Sequence, residues 1–422
     1  MGALSRLVLL GAFGLGIGCS VPTTDEGLGQ ASSPIINGSA DTAKNDSVVL
    51  IAIRKDGQLQ GDCTGTMVAP NLVLTARHCV TETDEGALCR VDGTPYEGGG
   101  LGADFTASDL FIYTGTKAIQ LQDSAASAAA RGKQLFFEST STYCDKDVAF
   151  ILLDRSLSVP VSPIRLKEGA REGESLTAVG WGLTEEGRQP DVRMMRSGIL
   201  VEAVGPFALD SDTQIGLSRS EFLVGESTCS GDSGGPAFAS TGAVVGVVSR
   251  GGGGREDPGN RASKCIGSRV LGIYTHLATK KTLVDRAFKA SGYGPRDEGT
   301  PPSKISGSIC KTNVECSSNT CSGGKCLTRC EDAKGCADGE VCVPKPDVNK
   351  KDVKVCFTAP EETPAEEEEA PEEEAPAPTV TTKKTTKEGC SAAPGTTSVP
   401  TTGILLAIAA VVAAKRRRRR EG

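Results

Sequence analysis

Aromatic side chains are scarce in this 422-residue chain, at 4%, and apolar residues reach only 38%. Both are low for one compact globule, so two to four domains with much loop and linker are expected. The 52 Gly and 22 Pro supply those loops. A folded body of strong charge is also missing. The net charge is −7, but nine Glu fall between Glu361 and Glu374, and five Arg close the chain at Arg416–Arg420. The remainder is close to neutral, which leaves no electrostatic case for nucleic-acid binding. Histidine is nearly absent, with only His78 and His276. His276 has no catalytic context and reads as a surface residue. Cysteine, by contrast, is plentiful. Sixteen are too many for an ordinary cytosolic enzyme and imply an oxidising compartment.

Both ends read as addresses. Residues 1–19 carry one Arg, an apolar run from Leu7 to Gly18, then Cys19. That is a secretory signal, too short to span a membrane. Its end resembles the bacterial lipobox, in which such a cysteine is lipidated. Ile17 and Gly18 suit it, while Gly16 stands where Leu is preferred, and ordinary cleavage nearby is the other reading. At the far end come Gly389-Cys390-Ser391, a short spacer, the 12-residue apolar run Gly403–Ala414 and the arginines. Twelve residues make roughly 18 Å of helix, short of a ~30 Å hydrocarbon core. The order resembles the myxobacterial MYXO-CTERM sorting signal, which implies cleavage near Cys390 by a sorting protease. A plain membrane helix held by its Arg cluster is the alternative. Either way the chain is expected to be exported and anchored at the bacterial cell surface or outer membrane, or released from it.

Between the ends, residues 20–34 are polar and turn-rich, a propeptide or tether. Residues 35–293 hold short Val/Leu/Ile runs broken by Gly, Asn, Pro and Ser, such as 47–54, 147–154 and 242–250. That pattern predicts an all-β barrel or sandwich. Lys280–Lys289 is a better helix, with Leu283, Val284, Ala287 and Phe288 on one face. Residues 294–309 form a Pro/Gly/Ser linker. Residues 310–356 hold Cys310, Cys316, Cys321, Cys326, Cys330, Cys336, Cys342 and Cys356. No C-x2-C pair and no His accompany them, so four disulfides stapling a coreless mini-domain are favoured over a metal site. Eight cysteines allow 105 pairings, and none is singled out. Residues 357–389 have almost nothing to bury and read as a disordered acidic stalk.

Three local sequences carry chemistry. They are Leu74-Thr75-Ala76-Arg77-His78-Cys79, the run beginning Asp147-Val148-Ala149, and Cys229-Ser230-Gly231-Asp232-Ser233-Gly234-Gly235. A serine hydroxyl is a weak nucleophile and needs a base within reach, itself oriented by a third group. His78 can take the proton, and a buried Asp147 can fix its tautomer. Glycines around Ser233 permit a tight turn that aims backbone N–H groups at a developing oxyanion.

The order His, Asp, Ser and these contexts resemble the chymotrypsin/trypsin serine protease family, whose triad is a standard worked example. Ile35-Ile36-Asn37-Gly38, Gly180-Trp181-Gly182 and Gly272-Ile273-Tyr274-Thr275 add to the likeness, which runs from Ile35 to about Tyr293. The resemblance implies two six-stranded antiparallel β-barrels with a C-terminal helix, the disulfide-rich module following. It implies His78, Asp147 and Ser233 as catalytic residues, the N–H groups of Gly231 and Ser233 as oxyanion hole, and Ser249 against Asp147. It implies Ser227 at the floor of the specificity pocket, with Gly251 and Gly272 on its walls. That open, uncharged slot suits a large apolar or aromatic side chain, and a one-residue shift would make Glu226 the floor instead. Activation would follow cleavage after Pro34, pairing the new Ile35 ammonium with Asp232. Ser33-Pro34 is not a trypsin-type site, so either another protease trims residues 20–34 or the mature start differs slightly. Implied disulfides are Cys63–Cys79 and Cys229–Cys265. Cys89 and Cys144 then remain to pair across a Gly/Ala-rich insertion, about 82–140. No cofactor or metal is expected. The partners are protein or peptide substrates. A catalytically silent surface binder on the same scaffold is the competing class.

Overall fold

The computed structural model describes residues 35–358, apart from 85, 119–124, 301–302, 331 and 337–338. Cys19, Cys390, Pro34 and the two address segments lie outside the described residues, as does the stalk beyond Thr358. Six strands close the first barrel in the order Ala130–Phe137, Ala149–Leu153, Leu72–Thr75, Gln58–Ala69, Val48–Lys55 and Leu110–Tyr113. The second barrel runs Met194–Val204, Ser175–Gly180, Pro236–Phe238, Val244–Gly252, Leu271–His276 and Glu221–Val224. It closes because Glu221–Val224 also pairs with Met194–Val204. Neighbouring strands are antiparallel in both barrels, and a short strand Ser39–Ala40 adds to the second.

Val48–Lys55 is apolar along nearly its whole length because both of its faces are covered. Val49, Ile51 and Ile53 pack with Val73, Ile112 and Ile151 in one cluster. Val48, Leu50 and Ala52 share another with Phe150, Trp181, Val244 and Phe288. Side chains alternate across a strand, so one set fills the first barrel and the other joins that barrel to the second and to the helix. The helix is Lys281–Ser291, ended by Gly292 in the left-handed region at φ 77°. Leu283, Val284, Ala287 and Phe288 are its buried face.

The segment 82–140 is not one long insertion. Leu110–Tyr113 and Ala130–Phe137 are two of the six strands of the first barrel. Leu110–Tyr113 was hidden in the sequence by its brevity, and Ala130–Phe137 by its polar first half, ARGKQ, and the Ala-rich stretch before it. The stretch read as a linker is likewise fastened to the protease body. Glu298 holds Arg165 through two hydrogen bonds of 2.6 and 2.7 Å, and the Val161 N–H donates to Ser303 Oγ.

Beyond it, disulfides join Cys310–Cys321, Cys316–Cys326, Cys330–Cys342 and Cys336–Cys356. A hairpin of Glu340–Pro346 and Asp352–Thr358 completes the module, so Phe357 and Thr358 belong to a strand rather than to the stalk. Among the described residues no helix is long and apolar enough to cross a membrane.

Candidate active site

Strand Leu72–Thr75 delivers a single 3-10 turn, Arg77–Cys79, and with it His78. Asp147 precedes strand Ala149–Leu153, which pairs with Leu72–Thr75. Adjacent strands therefore set the two side chains side by side. His78 Nδ1 lies 2.8 Å from Asp147 Oδ2, and the His78 backbone N–H donates to Asp147 Oδ1 at 3.0 Å. Ser249, from strand Val244–Gly252 of the second barrel, donates its hydroxyl to Asp147 Oδ2 at 2.6 Å. Asp147 is completely buried, while the His78 side chain keeps 17% exposure. Burial opposes charge on His78, but the Asp147 carboxylate outweighs it, and the imidazole pKa is raised above its ordinary value. Burial likewise opposes ionisation of Asp147, and His78 with Ser249 reverses this, so its carboxyl is held low.

The turn carrying Ser233 is pinned beside His78 by glycine. A Cβ on Gly234, at φ 76°, would collide with Thr75 Oγ1 and lie 2.6 Å from the Thr64 carbonyl and 2.8 Å from the Ala76 nitrogen. Only a residue without a side chain lets this turn press on the strand end that leads into His78. Thr64 completes the seat, its N–H donating to the Ser233 carbonyl at 2.8 Å and its hydroxyl to the Gly231 carbonyl at 2.9 Å. The first barrel thus holds the backbone of the second barrel's loop.

Residues 35–268, more than half the chain, match the family described as trypsin. The chain belongs to the trypsin family. Among its relatives, a trypsin of Saccharopolyspora erythraea is 25% identical over 228 residues, covering 51% of this chain and 86% of that protein. Beta-fibrinogenase mucrofibrase-3 of Protobothrops mucrosquamatus is 25% identical over 258 residues, 59% of this chain and 85% of its own. A chymotrypsin of Phaedon cochleariae is 26% identical over 254 residues, 54% of this chain and 83% of its own.

In this trypsin-family chain the cysteines around the site are joined as Cys63–Cys79, Cys89–Cys144 and Cys229–Cys265. The first braces the turn bearing His78 and the third anchors the loop bearing Ser233. Ser227 is fully buried. Its Oγ sits 3.1 Å from where a Cβ on Gly272 would be, and Gly272 pairs with Gly251 across the sheet. Ser227, Gly251 and Gly272 are therefore brought together. Glu226 is engaged elsewhere. It accepts the Asn37 side-chain amide and the Gly267 N–H, each at 2.6 Å, and lies 3.8 Å from Arg196.

Ile35 and Ile36 are fully buried, and Arg196 donates to the Ile36 carbonyl at 2.9 Å. The Asp232 carboxylate is also buried and accepts the backbone N–H groups of Gly182 at 2.7 Å and Cys229 at 3.0 Å. These neutral donors do not offset burial, which pushes its pKa up to about 7.

His276 corrects the sequence reading. It is 5% exposed, not a surface residue, and its Nε2 lies 3.0 Å from the Arg219 carbonyl. Its strand, Leu271–His276, is sandwiched in the second barrel, which no local pattern revealed. Sequence reasoning also missed Tyr143, whose ring centroid is 5.8 Å from that of His78 and whose hydroxyl is pushed up to about 12 by burial and by Asp147. Its only signal was its place four residues before Asp147.

Proposed function

We propose that this trypsin-family chain is an active serine endopeptidase, with Ser233 as nucleophile, His78 as general base and then acid, and Asp147 as the group that orients and stabilises the imidazolium. One observation carries the reading. Asp147 joins His78 to Ser249 while Gly234 lets the Ser233 turn press on the strand end before His78. Ser233 Oγ would attack a peptide carbonyl as His78 takes its proton. The tetrahedral intermediate collapses to an acyl-enzyme as His78 protonates the leaving amine, and water then repeats the sequence. With the Gly231 and Ser233 carbonyls held by Thr64, their N–H groups are the donors assigned to the oxyanion.

Selectivity is assigned to the slot of Ser227, Gly251 and Gly272, which favours a large apolar or aromatic residue before the scissile bond. The engagement of Glu226 with Asn37 and Gly267 supports Ser227 as the floor. Activation is assigned to cleavage after Pro34. A buried carboxylate needs a cation, and a new Ile35 ammonium would supply it to Asp232. Export by residues 1–19, with lipidation of Cys19 as one outcome, and surface retention through Cys390 and the tail complete the proposal.

A fluorophosphonate probe tests the central claim. Wild-type protein trimmed to Ile35 should be labelled at Ser233 and Ser233→Ala should not. No labelling of the trimmed wild type would favour a silent binder. Intact mass of the native protein tests the tail, since retention of Arg416–Arg420 in the mature chain would reject processing near Cys390.

A further inference from the structure

Behind the His78–Asp147 pair lies a second ion pair that the proposed chemistry does not use. Glu221, at the start of strand Glu221–Val224, is completely buried. Its two oxygens take the two terminal nitrogens of Arg250, the Nη2–Oε2 bond being 3.0 Å. The same carboxylate accepts the backbone N–H of Ser218 at 2.9 Å and of Asp145 at 3.5 Å. Arg250 directly follows Ser249, the hydroxyl donor to Asp147, and Asp145 stands two residues before Asp147. One carboxylate is therefore bonded to both stretches of chain that hold Asp147.

Asp145 reaches back across the barrel interface. Its Oδ1 accepts Ser218 Oγ at 2.6 Å and the Ser220 N–H at 3.1 Å, and its carbonyl accepts Lys280 Nζ at 2.6 Å. Its φ of 66° lies in the left-handed region, which Asp adopts more readily than most side chains.

Stability alone is a weak reason for this arrangement. Desolvating a carboxylate and a guanidinium usually costs as much as their attraction returns, and apolar side chains would fill the space as well. We propose that the Glu221–Arg250 pair is a positioning device for Asp147, locking the 143–147 loop onto the second barrel while adding no net charge beside His78. This rests on the catalytic reading of His78 and Asp147.

The charged and titratable groups around the pair are Asp147, His78 and Tyr143 on one side and Asp145, Lys280 and His276 on the other, with Glu221, Asp145 and Lys280 all acting on His276. His78 faces Asp147 and Tyr143. Arg250 faces Glu221, with Asp147 and Tyr143 within electrostatic reach. Tyr143 also feels Asp84. Arg77, next to His78 in the chain, is bonded to Asp104. If Glu221 alone is neutralised, the Arg250 cation remains unpaired and opposes the imidazolium. Removing both charges cancels that effect.

With only two histidines, selective isotope labelling lets His78 be followed by NMR in the full chain, using His78→Gln for assignment. Glu221→Gln should lower the His78 midpoint by about half to one pH unit, the scale of one charge at short range in a protein interior. The Glu221→Gln/Arg250→Met double variant should return the midpoint to the wild-type value, because no charge is left unpaired, yet take up the fluorophosphonate label about ten- to a hundredfold more slowly, because the 143–147 loop has lost its tie. Arg250→Lys, which keeps the charge, should hold the wild-type midpoint. A double variant that labels at the wild-type rate, or a single whose midpoint does not move, overturns the proposal.

Should Glu221→Gln not fold, Glu221→Asp keeps the charge but shortens the reach. It should hold the midpoint and slow fluorophosphonate labelling about ten- to a hundredfold, as expected for misplacement near 1 Å, and an unchanged rate overturns the positioning role. The two readouts separate two failures. A wild type that takes no label refutes the hydrolase reading, and the NMR comparison still decides the ion pair.

Discussion

The two barrels and the cysteine-rich module answer the same demand, enough hidden surface to stay folded, in different ways. In the barrels, Val49, Ile51, Val73, Ile112 and Ile151 make a continuous apolar interior. In the module the buried cluster is Cys310, Cys316, Cys321 and Cys326, while Ile309 and Val314 stand 77% and 63% exposed. Its four disulfides close short segments, with sequence separations of 10, 11, 12 and 20. The barrels' three span 16, 36 and 55, and each has one cysteine close in the chain to His78, Asp147 or Ser233 of the candidate site. Cross-links are thus the core of one region and braces for the site in the other. A chain of under 50 residues buries too little to fold otherwise.

The largest effect that would sharpen this contrast is chemical. Ser233→Ala should reduce kcat by several powers of ten, and Asp147→Asn by roughly 10⁴, with both regions still folded by circular dichroism. Next comes the barrel core. Phe150 is fully buried and meets Phe288 edge-on at 6.4 Å. Phe150→Ala should cost about 3–5 kcal/mol in denaturant unfolding and loosen the C-terminal helix as well. Removing Cys316–Cys326 by paired serine substitution should cost about 2–5 kcal/mol, felt within the module. Hydrogen exchange should then show protection lost over 304–326 and kept in strand Val48–Lys55. Equal loss in both would break the comparison. At the small end, Ile309→Ser should change stability by no more than ~0.5 kcal/mol despite the loss of a large apolar side chain.

The pH dependence follows from the site. Because Asp147 raises the His78 pKa, kcat/KM should climb through a midpoint above 6.5 as the imidazole loses its proton. The linked stability has the matching sign. The His78 contribution is complete below its unfolded value and is lost as pH rises through the folded one. That of Asp147, held low, is complete above its unfolded value and is lost as pH falls through the folded one. An activity midpoint below 6 would contradict the His78 assignment.

Much of the candidate site was legible because each part has a local sequence context. His78 follows an apolar strand and precedes a cysteine, Ser233 sits among glycines, and Asp147 opens an apolar run. The barrels were legible as a class from short Val/Leu/Ile runs between turn residues. Two of their strands were not, because Leu110–Tyr113 and the flank of Ala130–Phe137 are too short or too Ala-rich to stand out from a loop.

By itself, then, the sequence determined the residue types at the site, their order along the chain, the β character of the body and the need for cross-links in a module with no apolar core. These depend on neighbours within a few positions. Tertiary structure alone decided which of 105 pairings the eight cysteines adopt, that His276 is inside, that Glu226 turns to Asn37 while Ser227 turns to Gly272, and that Glu221 finds Arg250. Each of those outcomes depends on a partner brought close by the fold, barrel closure for His276, Glu226, Ser227 and Glu221 and the module's own turns and hairpins for the cysteines, rather than by local sequence context. A charged residue in a strand is favourable or ruinous according to what stands opposite it when the second barrel shuts.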